Sequence, residues 1–147
     1  MARYQTRVRS LWTARRAFEY LCDLEHFADW DPGVRRATLV AGSAPGLGAA
    51  YDVTVRAMGR DLTLRYETVD FDPPRRVEVH ADTATLRSSD VITVGDNPGG
   101  GCVVTYDAAL SLKGLLRLAD PLLGLAFRRI GDRAAAGLRA ALEGTAP

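Results

Sequence analysis

The chain has 147 residues, a length that one hydrophobic core fills efficiently and that two domains would leave thin, so residues 1–147 are expected to form a single unit. Apolar residues make up 47% and charged residues 25%, which excludes a disordered chain, and a formal net charge of +1 provides no strong field for holding nucleic acid. No window of 18 apolar residues occurs and the N-terminus, MARYQTRVRSLW, lacks the apolar run of an export signal, so the expectation is a cytoplasmic protein without stable membrane insertion.

Taken in chain order, Tyr4, Thr6, Val8 and Ser10 alternate with Arg3, Gln5, Arg7 and Arg9, the period of two that marks a strand with one wet face. Thr13 then caps a helix through Leu21, with Ala14, Ala17, Phe18 and Leu21 on one side. The segment LEHFADW predicts a second short helix. Asp31-Pro32-Gly33 stops it, because proline lacks the amide and disfavours a helical residue before it. Six segments of strand character follow: RRATLVAG, AAYDVTVRA, RDLTLRYETVDF, RRVEVHA, TLRSSDVITV and CVVTYDAALSL. The breaks GSAPGLG, MGRD, DPP, ADTA and GDNPGGG are short and rich in turn residues, which makes the neighbours antiparallel. From Asp120 to Glu143 the stripe Leu123, Phe127, Ile130, Ala134, Leu138 and Ala141 predicts one long amphipathic helix.

The pattern is an α+β layer architecture: seven antiparallel strands in a curved sheet, two short helices after the first strand, and a long C-terminal helix. One helix cannot fill a long curved sheet, so a cavity lined by inward strand positions is expected between them.

On the last strand, alternation turns Tyr106 inward with Val104 and Ala108. On the preceding strand the more apolar set, Leu86, Ser88, Asp90, Ile92 and Val94, turns Asp90 inward, where a carboxyl must be paired, hydrogen-bonded or protonated. Asp90 then reads as a general acid or base, or as a ligand anchor, against the plainer reading of a structural polar contact. Arg65 and Tyr66 are adjacent, so only one faces the cavity: Tyr66 if Leu62 and Leu64 set the register, Arg65 if Val69 and Phe71 do, unless a bulge reconciles the two. Tyr51 looks inward with Val53 and Val55, and His80 looks outward. Trp30 is either a core plug or part of the pocket mouth. Phe127, on the helical stripe, joins the expected lining. His26, Asp29 and Asp31 lie at offsets without established metal-ligand geometry and read as a solvated helix end, so no metal is expected. GSAPGLG lacks the following helix of a nucleotide loop, and Ser88 and Ser89 lack a nucleophile elbow. Cys22 and Cys102 read as buried thiols.

The order of elements, the ADWDPGV corner, the DFDPPRRVEV turn and the run GGGCVVTYDAALSLKGLLRLADPLLGLAFRRIGDRAAAGLRAAL resemble the polyketide cyclase/dehydrase and lipid-transport family of the START-like (SRPBCC) superfamily. The resemblance covers nearly the whole chain. It implies a helix-grip fold with a deep pocket, a bacterial protein that is a monomer or homodimer, an apolar or aromatic small molecule as partner, and no required cofactor. Two functions follow. The first is binding or carriage of a lipid, isoprenoid or aromatic polyketide. The second is cyclisation and dehydration of a polyketide in the same cavity, with Asp90, Tyr106 or Arg65 as acid, base or anchor. Trp30, Tyr51, Tyr66, Asp90, Tyr106 and Phe127 are the expected ligand contacts.

Overall fold

A computed structural model describes residues 1–57 and 59–144 of the chain. Strand β1 (Ala2–Ser10) is followed by helix α1 (Ala14–Leu21), a short 3-10 turn (Leu24–His26) and helix α2 (Phe27–Trp30). Six strands come next: β2 (Val34–Ala41), β3 (Ala50–Ala57), β4 (Arg60–Asp72), β5 (Arg76–Asp82), β6 (Leu86–Asp96) and β7 (Cys102–Leu112). A 3-10 segment (Gly114–Ala119) leads into helix α3 (Asp120–Ala141). The expected MGRD break holds Met58, which lies outside the described residues, and Ala57 pairs directly with Arg60 across it.

All seven strands form one antiparallel sheet in the order β1-β7-β6-β5-β4-β3-β2. The helical connection after β1 therefore carries the chain from one edge to the other, and a meander of hairpins brings it back, the outcome of short turns between consecutive strands. Thr13 caps α1 through a bond from the Arg16 amide at 3.2 Å. Ala17, Phe18 and Leu21 of α1 are buried, and the Phe18 ring lies 5.6 Å from Phe71.

In β4, Leu64, Tyr66 and Thr68 are buried while Arg65, Glu67 and Val69 are exposed. A register shift against β5 falls between Thr68 and Asp70. This bulge reconciles the two apolar sets: Leu64 and Tyr66 face inward before it and half-buried Phe71 after it.

Helix α3 packs against β1 and α2. It approaches them closely because it carries glycines where it touches. A Cβ on Gly131 would stand 2.3 Å from the Tyr4 ring, and one on Gly137 would stand 1.7 Å from the Trp30 carbonyl oxygen. Ala134, Ala135 and Leu138 are buried beside these contacts. The expected apolar stripe is thus seated only from Gly131 onward. Ile130 is 48% exposed and Leu123 half-buried, and on this stretch of the helix Phe127 and Ile130 border a cavity.

Candidate functional site

The cavity, of about 340 Å³, lies between the sheet, the corner after α2 and the first half of α3. Its walls come from Val53 and Val55 on β3, Leu62, Leu64 and Tyr66 on β4, Leu86, Ser88 and Asp90 on β6, and Tyr106, Ala108 and Leu110 on β7. Phe27, the Asp31–Val34 corner, Phe127, Ile130, Arg56 and Arg133 complete it. The wall is mostly apolar, as ligand cavities are, with a few polar groups gathered at one end. Leu62, Ile130, Arg56 and Arg133 are exposed and mark the mouth.

The polar end follows from strand register. Tyr66 pairs with Ala81, and Ala81 pairs with Ser88. The small side chain of Ala81 leaves the Tyr66 ring free to cross a whole strand and meet the Ser88 hydroxyl at 2.7 Å. Asp90 sits between Val79 on β5 and Ala108 on β7, two positions along from the Tyr106–Ile92 pair on the same face. Ala108, again small, exposes the Asp90 carboxyl to the cavity and to the Tyr106 hydroxyl. Asp31 enters from the opposite side, one oxygen accepting from the Gly33 amide at 2.9 Å. The proline-glycine stop that ends α2 therefore also turns a carboxyl into the site.

Asp31 and Asp90 are both buried, and among the described residues no arginine, lysine or histidine pairs with either. Burial pushes the Asp90 carboxyl up to about 7; the neighbouring Asp31 charge adds to this and the Tyr106 hydroxyl partly offsets it. Asp31 is raised by burial and held back by the Gly33 amide. Burial first, and then the Asp90 charge, raise both Tyr66 and Tyr106, so each stays a neutral hydroxyl.

The structure places Tyr66, Asp90, Tyr106 and Phe127 on the cavity wall. Arg65 is a correction: it points to the outer face of the sheet, where its Nε bonds the Asp52 carboxylate at 3.0 Å. Trp30 and Tyr51 are not on the wall either. Trp30 is 3% exposed, stacked on Phe27 at 4.7 Å and edge-on to Tyr106 at 5.3 Å, so it backs two rings that do face the cavity. Tyr51 lies on the same face as Val53 but is wholly buried against residues 22–24, where burial pushes its phenol up to about 12. His80 lies on the outer face beside Glu78. The supposed solvated helix end is dispersed: His26 Nδ1 meets the Tyr20 carbonyl at 2.8 Å, Asp29 accepts from the Tyr20 hydroxyl at 3.3 Å, and Asp31 turns into the cavity. Sequence reasoning passed over Asp31, Ser88, Arg56 and Arg133. Only Ser88 carried a usable signal, its place in the inward set of β6.

Among the described residues no helix is long and apolar enough to cross a membrane. A sequence family described as polyketide cyclase / dehydrase and lipid transport matches residues 1–143. No curated protein sequence matches the chain. Solved structures of similar fold include a START superfamily protein from Mycobacterium smegmatis, 11% identical over 97% of this chain and 98% of that one, with a TM-score of 0.75. The Zhui aromatase/cyclase from Streptomyces sp. R1128 is 16% identical over 96% of this chain and 93% of its own, with a TM-score of 0.73. The di-domain ARO/CYC BexL from the BE-7585A biosynthetic pathway is 18% identical over 99% of this chain and 50% of its own, with a TM-score of 0.72. At these identities the likeness establishes the shared fold.

Proposed function

The chain belongs to the polyketide cyclase / dehydrase and lipid transport family, and we propose that it binds an apolar, carbonyl-bearing small molecule of the polyketide kind in the cavity and catalyses proton transfer on it, the chemistry of aldol cyclisation and dehydration. The observation that carries this reading is Asp90: a carboxyl buried on the wall of an apolar cavity, without a cationic partner among the described residues, and poised near neutral pH. Such a group can take up and return a proton as well as anchor a ligand.

In this reaction the Asp90 carboxylate removes a proton from a carbon next to a carbonyl, and the C–H electron pair passes into an enolate. The enolate oxygen accepts a hydrogen bond from the neutral Tyr106 hydroxyl, with the Tyr66–Ser88 pair as the second polar contact. The enolate carbon attacks another carbonyl of the same molecule, a C–C bond forms, and the new alkoxide takes the proton held by Asp90. Dehydration follows when Asp90, reprotonated from solvent, delivers its proton to the departing hydroxyl while the Asp31 carboxylate removes the next such proton, leaving a C=C bond and water. Two carboxyls raised by the same burial suit this exchange of roles, since one is readily protonated while the other is not.

The test uses 2-acetonaphthone in D₂O, with exchange of its methyl protons followed by NMR and its binding by calorimetry. The wild-type protein is expected to accelerate exchange above the buffer rate, and Asp90→Asn to return it to that rate while still binding. Saturable binding with exchange at the buffer rate in the wild-type protein overturns catalysis and leaves carriage, which the largely apolar wall also supports.

A further inference from the structure

The cavity wall holds two carboxylic acids and two arginines, and they are sorted by sign. Asp31 and Asp90 lie buried at the inner end, and Arg56 and Arg133 lie exposed at the mouth. We propose that this polarity fixes the orientation and class of the ligand: an aromatic amphiphile that enters with an uncharged, hydroxyl-bearing end toward Asp31 and Asp90 and leaves an anionic group at the mouth between Arg56 and Arg133. The proposal rests on the cavity being the ligand site, as argued above.

The inner end fits hydrogen-bond donors. A carboxylate only accepts, and Asp31 has one oxygen committed to the Gly33 amide, so acceptor capacity is left over on both acids. A phenol or enol hydroxyl supplies the missing donor. An anionic head cannot replace it, because it would enter a low-dielectric end that already holds two acids and no cation among the described residues. A fatty acid entering head first is therefore rejected.

The mouth has the opposite character. Arg133 projects from α3 without an ion pair or hydrogen bond among the described residues. Arg56 is held only loosely, at 3.4 Å from Asp61, an acid that also receives Arg35 at 3.6 Å. An arriving anion can draw Arg56 from Asp61 while Arg35 keeps that acid compensated. Guanidinium groups on two sides of an opening suit a planar carboxylate or a tetrahedral anion alike.

The experiment compares four rigid probes by calorimetry at pH 8: 2-naphthol, 2-naphthoate, 6-hydroxy-2-naphthoate and 6-hydroxynaphthalene-2-sulfonate. Both hydroxy-anions are expected to bind roughly tenfold more tightly than 2-naphthol, the scale of one charge-assisted contact. The double variant Arg56→Gln/Arg133→Gln should bring them down to the affinity of 2-naphthol and leave 2-naphthol itself unchanged. A preference between carboxylate and sulfonate identifies the anion geometry. The inference is overturned if 2-naphthoate binds as tightly as its hydroxylated counterpart, or if the arginine variant leaves all four affinities unaltered; the cavity reading survives either result. If none of the four binds while 2-acetonaphthone still exchanges, the orientation is wrong and the site is right. If neither occurs, both fall. Because both arginines are exposed, an unchanged thermal midpoint in the double variant verifies that the fold is intact.

Discussion

The two faces of the sheet use the same acidic residues to opposite ends. On the outer face Asp52 accepts from Arg65, Glu78 from Arg76 and His80, and Asp82 from Lys113 and Arg87. The first-named partner in each case holds the carboxyl below its ordinary range. On the inner face Asp31 and Asp90 have no such partner among the described residues, and burial drives both upward. On the outer face each of these carboxyls has a cationic partner within reach of water, so its loss should cost little. The inner face is held by close packing and carries the charges whose cost burial has left uncompensated, which is where chemistry near neutral pH becomes available.

The largest expected effect breaks the packing that holds the inner face. Gly137→Val places a side chain where even a Cβ would stand 1.7 Å from the Trp30 backbone oxygen, so α3 must lift from α2. The loss should be about 3 kcal/mol or more in urea unfolding. Leu125→Ala, on the half of α3 that lies over the cavity and 69% exposed, should change stability by less than about 0.5 kcal/mol. Equal losses from both substitutions would mean that the helix is seated evenly along its length.

The next effect isolates the buried charge. Asp90 has an ordinary value of 3.8 and a folded-state value of about 7, so between these the native protein holds a proton that the unfolded chain has released. Stability therefore falls as pH rises through that window, is unpenalised below it and carries the full cost above it. Asp90→Asn should be more stable than wild type at pH 8, by on the order of 2 to 4 kcal/mol, and the gap should close toward pH 4. Some slope remains in the variant, because Asp31 titrates in the same direction. A gap that widens toward acid pH would show that Asp90 is paired after all.

Much of this fold was legible because the evidence for it is local. Period-two alternation, turn residues between strands and one apolar stripe at the C-terminus require no knowledge of what lies across the sheet. The site was legible only where a single strand decides the facing, as for Asp90 and Tyr106. Arg65 against Tyr66 turned on a bulge between Thr68 and Asp70: the out-of-phase apolar sets within β4 leave room for one, but whether and where it falls is decided by pairing with β5. Asp31 was hidden because Asp-Pro-Gly is fully explained as a helix stop, and nothing in a stop signal says that its acid also faces a cavity. Tyr51 was misplaced for the reverse reason: its inward facing is correct, but the turn at residues 22–24 stands in front of it, and depth along a face is not a property of periodicity. Trp30, left open between core plug and pocket mouth, is the plug, because Phe27 and Tyr106 stand between it and the cavity.

A smaller effect tests the layer just behind the wall. Trp30 touches Phe27 and Tyr106, so a ligand against those rings alters its surroundings without contacting it. In a Trp12→Phe background, 2-naphthoate or 2-acetonaphthone should produce a shift of a few nanometres or less in Trp30 emission, after correction for absorption by the probe. A large quench with a change in accessibility to iodide would place Trp30 in direct contact and return it to the wall.

The smallest expected effect concerns the outer face, and it is the strictest control on the comparison. Arg65 and Asp52 form a well-aligned pair, yet both are exposed, so their attraction is screened by water and offset by the entropy of ordering two side chains. Arg65→Gln, Asp52→Asn and the double variant should each leave the urea midpoint nearly unchanged, with what little coupling exists vanishing in high salt. None should alter affinity for the naphthyl probes or the exchange rate of 2-acetonaphthone. This silence is informative because Arg65 is the immediate neighbour of Tyr66, whose ring reaches the polar end of the cavity. If the sheet divides its functions by face, one step along β4 takes the chain from a side chain that matters to one that does not: Tyr66→Phe should weaken hydroxy-probe binding, while Arg65→Gln does nothing. A drop in affinity or exchange with Arg65→Gln would mean that the outer charges reach the cavity through the sheet, and the division between faces would have to be abandoned.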